Sequence, residues 1–137
     1  MSKELATRLH SASIRLLRGL RREDAAAGLS APRLSALSVV VFAGPLSLAE
    51  LAAAEQVKPP TMSRIVDALE AAGLVVRGAK PGDRRSIRIE ATMEGRRVLE
   101  EGRARRVRAL LERLEALSEE EQAALARGVA LLERIAG

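Results

Sequence analysis

Residues 47–90 read SLAELAAAEQVKPPTMSRIVDALEAAGLVVRGAKPGDRRSIRIE, and the spacing of the apolar residues changes within this stretch. Ser47 and Glu50 are spaced as a capping box, in which a hydroxyl and a carboxylate each accept a hydrogen bond from a free backbone amide at the start of the helix. They predict a short helix over 48–54, followed by a turn. The two prolines at 59 and 60 suit the first turn of a second helix, which a glycine ends at residue 73.

The apolar period then falls from about 3.6 residues to about 2, which is the period of a β-strand. The sequence predicts strands over 74–77 and 86–90, joined by a hairpin tip that contains Pro-Gly-Asp. A helix-turn-helix followed directly by a two-stranded hairpin is a winged helix. We therefore assign residues 30–91 to a winged helix-turn-helix domain and expect it to bind DNA.

Helical segments flank this domain, and their apolar residues recur every three or four positions. Residues 1–29 are predicted as an N-terminal dimerisation helix, and residues 92–137 as two C-terminal dimerisation helices capped by Thr92 and Ser118. Ser30 is the predicted N-cap of the next helix after residue 29. A central domain of about 60 residues is near the lower limit for an independent core, so the leucine-rich terminal helices are better buried against a second copy. The predicted fold is mainly α with a small two-stranded β-wing, assembled as a two-fold homodimer.

The chain has 137 residues and a formal net charge of +5, and it contains no cysteine. Disulfides, thiolate metal sites and cysteine nucleophiles are therefore excluded, and the single histidine, His10, argues against histidine-rich metal sites and histidine-dependent catalysis. The sequence shows no nucleophile–base pair, phosphate-binding loop or metal-ligand spacing, so we predict neither an enzyme nor a bound cofactor or metal. Without a membrane-length apolar run or a signal-peptide core, we predict a cytoplasmic protein with no membrane partner.

The start of the second predicted helix of the helix-turn-helix carries short and polar side chains, as a helix that enters a major groove requires. Thr61 and Ser63 supply hydroxyls for bases or phosphates, and Arg64 has the length and geometry to bind guanine O6 and N7. The alternative interpretation is an ordinary helix with a solvated polar face. The predicted recognition residues are Lys58, Pro59, Pro60, Thr61, Ser63 and Arg64.

The predicted hairpin carries five cations against a single acid, and a polyanionic partner would relieve their mutual repulsion. Arginine at a hairpin tip also suits the narrow minor groove, where the negative potential is enhanced. The alternative interpretation is a charged edge strand that prevents aggregation. The predicted DNA-binding residues of the wing are Arg77, Lys80, Asp83, Arg84, Arg85, Ser86 and Arg88.

Three runs of sequence in this region resemble the MarR family of bacterial transcription regulators. They are LAELA at 48–52, SRIVDALEAAGLV at 63–75 and the wing motif GDRRS at 82–86. The resemblance implies a homodimeric winged helix whose terminal helices form the dimer interface and whose recognition helix enters the major groove. It also implies that Arg85 enters the minor groove and that Asp67 pairs with Arg85 to hold the wing against the recognition helix. Where the family usually has Leu-Thr and a later glycine after the second wing strand, this chain has Ala91-Thr92 and Gly95.

Many members of that family bind small, often phenolic, molecules in a cleft between the dimer platform and the winged helix, and the bound ligand releases DNA. The resemblance therefore implies a small-molecule effector, with His10 and Phe42 as candidate contacts. The alternative is that Phe42 belongs to the core and that His10 is an interface or surface histidine.

These features together predict a sequence-specific homodimeric repressor that binds double-stranded DNA at an inverted-repeat operator. Its half-sites are expected about one helical turn, roughly 34 Å, apart. The alternative hypothesis is a winged helix that binds an acidic protein partner and does not bind DNA specifically.

Overall fold

The computed structural model describes residues 1–24, 28–80 and 83–137, and the side chains of Lys80, Asp83, Arg84 and Arg85 lie outside the described set. Within these ranges, six helices and a two-stranded antiparallel sheet follow one another in the predicted order, so the predicted fold class is confirmed. Among the described residues, no helix combines the length and the apolar character that crossing a membrane requires. The elements are α1 (Ser2–Asp24), α2 (Ala31–Ala43), α3 (Leu48–Glu55), α4 (Pro59–Ala71), β1 (Val75–Lys80), β2 (Asp83–Ala91), α5 (Met93–Glu115) and α6 (Glu119–Ala136).

The helix-turn-helix consists of α3 and α4, and the residues at their ends explain where each begins and stops. α3 begins where the Ser47 hydroxyl accepts a hydrogen bond from the Glu50 amide at 3.1 Å, which is one of the two hydrogen bonds of the predicted capping box. Gln56 ends α3 with a φ of 56°, in the left-handed region. α4 begins with its two prolines, and Gly73, with a φ of 76°, turns the chain toward the wing as predicted.

The wing is an antiparallel hairpin of β1 and β2, in which Val75 pairs with Ala91. Both strands reach further toward the tip than the alternating pattern predicted, and the register shifts just after Ala79. The predicted tip residues 81 and 82 lie outside the described residues. The base of the hairpin has a further partner, because Leu46 and Ile89 exchange backbone hydrogen bonds of 3.2 and 2.8 Å. The segment between α2 and α3 therefore fastens the wing to the helix-turn-helix.

The core of the winged helix is aliphatic and lies between α2, α3, α4 and the base of the wing. Met62, Val66 and Leu69 of α4 are fully buried, and their spacing places them on one face of the helix. Burying a side chain of this size contributes about 1.5–3 kcal/mol, so this face determines how α4 is rotated about its axis. The largest fully buried side chains are Leu37, Leu51, Met62, Leu69, Ile89, Val40, Val66 and Val75.

α1 and α5 pack in an antiparallel arrangement beside the winged helix. The Arg113 guanidinium lies against Gly19, and Arg106 binds Asp24 at 2.5 Å. The N-terminal half of α1 extends away from these contacts and is largely exposed. α1 ends at Asp24, and the predicted helical residues 25–27 lie outside the described residues. Gly28 has a φ of 71°, which is not helical, so the predicted helix does not continue to residue 29.

The helix caps on the C-terminal side follow the prediction. The Thr92 hydroxyl accepts a hydrogen bond from Gly95 at the start of α5, and Ser118 and Glu121 form a complete capping box at the start of α6. Ser30 precedes α2 as predicted, although its side chain makes no capping hydrogen bond. In the chain as described, α6 contains no buried residue, which leaves one apolar face of that helix without a partner.

Candidate nucleic-acid interface

The first two turns of α4 present the predicted recognition residues to solvent. Met62 and Val66 are completely buried on the opposite side, so the polar side chains of these turns project together from the domain. Residues 58–61 and Arg64 are exposed, whereas Ser63 is half-buried.

The start of α4 is electropositive as well as exposed. The unpaired amides of the first helical turn carry the positive end of the helix dipole, and the N-cap residue Lys58 adds a full charge. Pro59 and Pro60 lack an N–H group, so the donors at this end come from later amides and from the Thr61, Ser63 and Arg64 side chains. This combination favours an anionic partner rich in hydrogen-bond acceptors.

Arg77 of β1 ties the wing to the second half of α4. Its guanidinium donates to Asp67 at 2.8 Å and to Glu70 at 3.0 Å, and its backbone amide donates to the second Glu70 oxygen at 3.1 Å. Partial burial lowers the pKa of Arg77, but the hydrogen bonds to Asp67 and Glu70 outweigh it and raise that pKa overall. The three contacts fix the angle between β1 and the recognition helix.

Arg88 of β2 makes a second tie, to the other helix of the helix-turn-helix. Its guanidinium donates to the Glu50 carboxylate at 2.7 Å. Hydrogen bonds from Ser47 and from Arg88 lower the pKa of Glu50, so this carboxylate is charged at neutral pH. The wing is thus held by ion pairs on both of its strands.

These ion pairs correct the expectation that five unpaired cations crowd the wing. Arg77 and Arg88 are neutralised by carboxylates of the same chain, which removes two of the five charges from that repulsion. The basic side chains toward the tip, Lys80, Arg84 and Arg85, lie outside the described residues together with Asp83, while Ser86 is half-buried on β2. Asp67 contacts the wing through Arg77, and its expected pairing with Arg85 falls outside the described side chains.

Phe42 is 77% exposed at the end of α2, so the alternative of a core position for this residue is wrong. It lines an open groove of about 640 Å³ between α2 and the start of α5, together with Val41, Met93, Arg96 and Leu99 among others. His10 lies exposed on α1 and is not among the residues that line this groove. Within a single subunit, the structure therefore does not bring the two candidate ligand contacts together.

Of the acidic partners of the wing arginines, the family resemblance predicts only Asp67, and it predicts Arg85 rather than Arg77 as its partner. The sequence predicts a capping role for Glu50 and no pairing for Glu70. Asp67 and Glu70 are three residues apart on a helix, a spacing that places them on one face and that predicts a shared cationic partner. Across the described residues, no group of three or more His, Cys, Asp or Glu side chains is arranged to hold a metal ion.

Comparisons with known proteins match this architecture. The model of the MarR family matches residues 29–87. An uncharacterized HTH-type transcriptional regulator from Mycobacterium bovis is 33% identical over 118 residues, which cover 86% of this chain and 82% of that protein. The chain belongs to the MarR family.

Solved structures of other proteins show the same fold. A protein from Pseudomonas aeruginosa described as a transcriptional regulator is 35% identical, with a TM-score of 0.83 over 97% of this chain and 94% of its own. A MepR mutant from S. aureus, solved bound to an oligodeoxyribonucleotide, is 18% identical, with a TM-score of 0.75 over 94% of this chain and 95% of its own. This member of the family is thus a winged helix-turn-helix transcriptional regulator.

Proposed function

We propose that this protein is a homodimeric, sequence-specific DNA-binding repressor in the cytoplasm, which acts by occupying an inverted-repeat operator. The observation that carries the proposal is the arrangement of α4, whose polar first turns are exposed while its second half is tied to the wing through Arg77. A helix and a hairpin held at a fixed angle form a shape that engages two adjacent grooves of one duplex. Family membership supports the same function.

In the proposed complex, the start of α4 lies in the major groove and the wing tip in the minor groove. Thr61, Ser63 and Arg64 contact base edges and phosphates, and Lys58 contacts the phosphate backbone. Arg85 supplies the guanidinium that enters the minor groove, with Lys80 and Arg84 near the same tip. We assign Arg77 and Arg88 to positioning the wing rather than to contacting DNA, because their guanidinium groups are already bound by carboxylates.

The dimer in this proposal is formed by α1, α5 and α6. The exposed apolar side chains Leu125, Val129 and Leu132 recur on one face of α6 and have no partner in the described chain. A second copy related by a two-fold axis would cover them and would present two recognition helices to the two half-sites of an inverted repeat.

Relief of repression by a small molecule is the remaining part of the proposal. The groove beside Phe42 lies where α5 joins the winged helix, and most of its exposed lining is apolar. Its charged lining residues are Arg96, Arg97, Glu100 and Glu101. A ligand bound there would contact α2 and α5 together, so it would change the relative orientation of the winged helix and the dimer helices. We keep Phe42 as a candidate contact; His10 remains a candidate only through the partner subunit.

The proposal is tested by enriching random duplexes on the purified protein and sequencing those that bind. An inverted repeat is expected, with an affinity that falls with salt at about −0.9 per phosphate neutralised in a plot of log K against log salt. Arg85→Ala should weaken binding to every duplex, whereas Arg64→Ala should also relax the preference at one or two bases. Arg134→Ala, which removes the same charge from α6, serves as the matched control.

Two outcomes would contradict the proposal. One is a flat salt dependence with equal binding of selected and random duplexes, which would favour the alternative hypothesis of a protein-binding module. The other is wild-type behaviour of both the Arg64 and Arg85 variants, which would refute the site assignment.

A further inference from the structure

One hydroxyl group makes two hydrogen bonds at the junction between the winged helix and α5. The Thr92 Oγ1 donates a hydrogen bond to the Gly73 carbonyl at 2.7 Å and accepts one from the Gly95 amide at 3.0 Å. Gly73 is the residue that follows α4 and its C-cap, and Gly95 lies in the first turn of α5. One side-chain oxygen therefore bridges the end of the recognition helix and the start of the long dimer helix.

Backbone contacts at the same place leave little freedom for this junction. The Thr92 amide donates to the Leu74 carbonyl at 3.0 Å. Gly95 is buried, and a methyl group at its Cα would overlap the Leu74 carbonyl oxygen and would lie 3.3 Å from Leu37 Cδ1. α5 thus starts in direct contact with the backbone that links α4 to β1, a contact that only glycine permits.

A small rotation at this junction has a large effect at the start of the recognition helix. α4 has 13 residues, so its first turn lies about 20 Å from Gly73. A rotation of about 10° would move that turn by about 3.5 Å, and two-fold symmetry doubles the change in separation to about 7 Å. Successive base pairs are about 3.4 Å apart along the duplex axis, so this change matches the rise of about two base pairs.

We propose that Thr92, together with Gly95, sets the distance between the two recognition helices and thereby the half-site spacing that the dimer accepts. Thr92 is a positioning residue in this inference, since it touches α4 and α5 and has no assigned contact with DNA. The inference rests on the proposed function, because spacing has meaning only for a dimer that reads two half-sites. It predicts that loss of the hydroxyl changes spacing preference and not merely overall affinity.

The test compares the wild-type dimer with Thr92→Val, which keeps the side-chain shape and removes the hydroxyl, and with Thr92→Ser, the matched control that retains it. Each protein is titrated against operators whose spacer is lengthened or shortened by up to two base pairs. Wild type and Thr92→Ser should favour one spacer by about tenfold or more over a change of two base pairs. Thr92→Val should reduce that ratio to about threefold or less, or should move the optimum by one or two base pairs.

A distance measurement on the free protein gives a second readout that needs no DNA. The chain has no cysteine, so Lys58→Cys places one spin label per subunit at the start of α4. The distance between the two labels should be narrowly distributed in the protein with the wild-type Thr92 and in Thr92→Ser. In Thr92→Val, this distance should shift or its distribution should broaden by several ångströms. Thr92→Asp keeps an N-cap acceptor for the Gly95 amide but cannot donate to the Gly73 carbonyl, so it provides a second variant should Thr92→Val fail to fold.

The outcomes separate the two claims. An unchanged spacer profile and an unchanged label distance in Thr92→Val and Thr92→Asp would overturn the role of the junction. Absence of any inter-label distance in the wild-type protein, or absence of any spacer preference in wild-type binding, would instead overturn the proposed dimeric function, and the inference with it.

Discussion

Replacing Val129 with glutamate tests the proposed dimer at α6. Val129 is 42% exposed in the single subunit, and its neighbours on the same face, Leu125 and Leu132, are 42% and 38% exposed. Full burial of such side chains contributes about 1.5–3 kcal/mol, so covering the remaining area contributes about 1 kcal/mol for each residue in each subunit. A carboxylate buried against this face costs at least about 3 kcal/mol. Two-fold symmetry doubles this cost to about 6 kcal/mol, which weakens the dimer about 10⁴-fold.

Sedimentation equilibrium over a range of protein concentrations measures this change directly. Wild type should remain dimeric at micromolar concentration, and Val129→Glu should sediment as a folded monomer that no longer binds the operator tightly. Arg127→Glu is the matched control, because it places a carboxylate on the opposite side of the same helix, where it stays exposed. A dimer constant for Val129→Glu within about tenfold of wild type, or equal dissociation of the Arg127→Glu dimer, would refute the assignment of this face.

Three further predictions concern the ties that hold the wing and α4. Arg77→Met should weaken operator binding severalfold and should lower the free energy of unfolding by about 1 kcal/mol or less. In a double-mutant cycle with Glu70→Gln, the effects of the two substitutions on thermal melting and on operator binding should be non-additive. The pKa of Glu50 lies below its ordinary value of 4.5, so the ionised carboxylate contributes its full stabilisation above pH 4.5 and loses it as the pH falls through the lowered pKa. In Arg88→Gln, NMR titration should show the pKa of Glu50 rising part of the way back toward 4.5. Gly73→Ala should lower stability by about 1 kcal/mol in thermal melts, because its φ of 76° disfavours a side chain, and an unchanged melting temperature would contradict this assignment.

Most ends of the helices were predictable because residues close in sequence determine them, whereas the end of α1 at Asp24 was not. Ser47, Thr92 and Ser118 cap the helices that follow them, and Gly73 adopts the left-handed conformation after α4. The strands of the wing extend beyond their predicted ends, since pairing across a hairpin depends on the partner strand rather than on local alternation. Ser30 shows that sequence position alone does not guarantee a cap, because this serine precedes α2 as predicted but its side chain makes no capping hydrogen bond.

Contacts between distant parts of the chain were the least predictable. Arg88 and Glu50 are 38 residues apart, and nothing in their local sequence marks them as partners. The positive charge of the hairpin was evident, but whether each arginine faces the protein or the solvent depends on how β1 and β2 lie against α3 and α4. The position of Phe42 could not be decided from the sequence either. An isolated aromatic residue in an aliphatic chain fits both the core and a ligand site, and only its exposure in the folded subunit distinguishes the two.

The backbone bridge between Leu46 and Ile89 has a consequence for how this hairpin changes during evolution. The bridge anchors the strands at the end nearest the core, and the Arg77 and Arg88 ion pairs lie close to the same end. Insertions or deletions beyond Ala79 therefore leave the anchored end in place. In the proposed complex, a change in the length or charge of the tip would therefore alter the minor-groove contact without displacing α4.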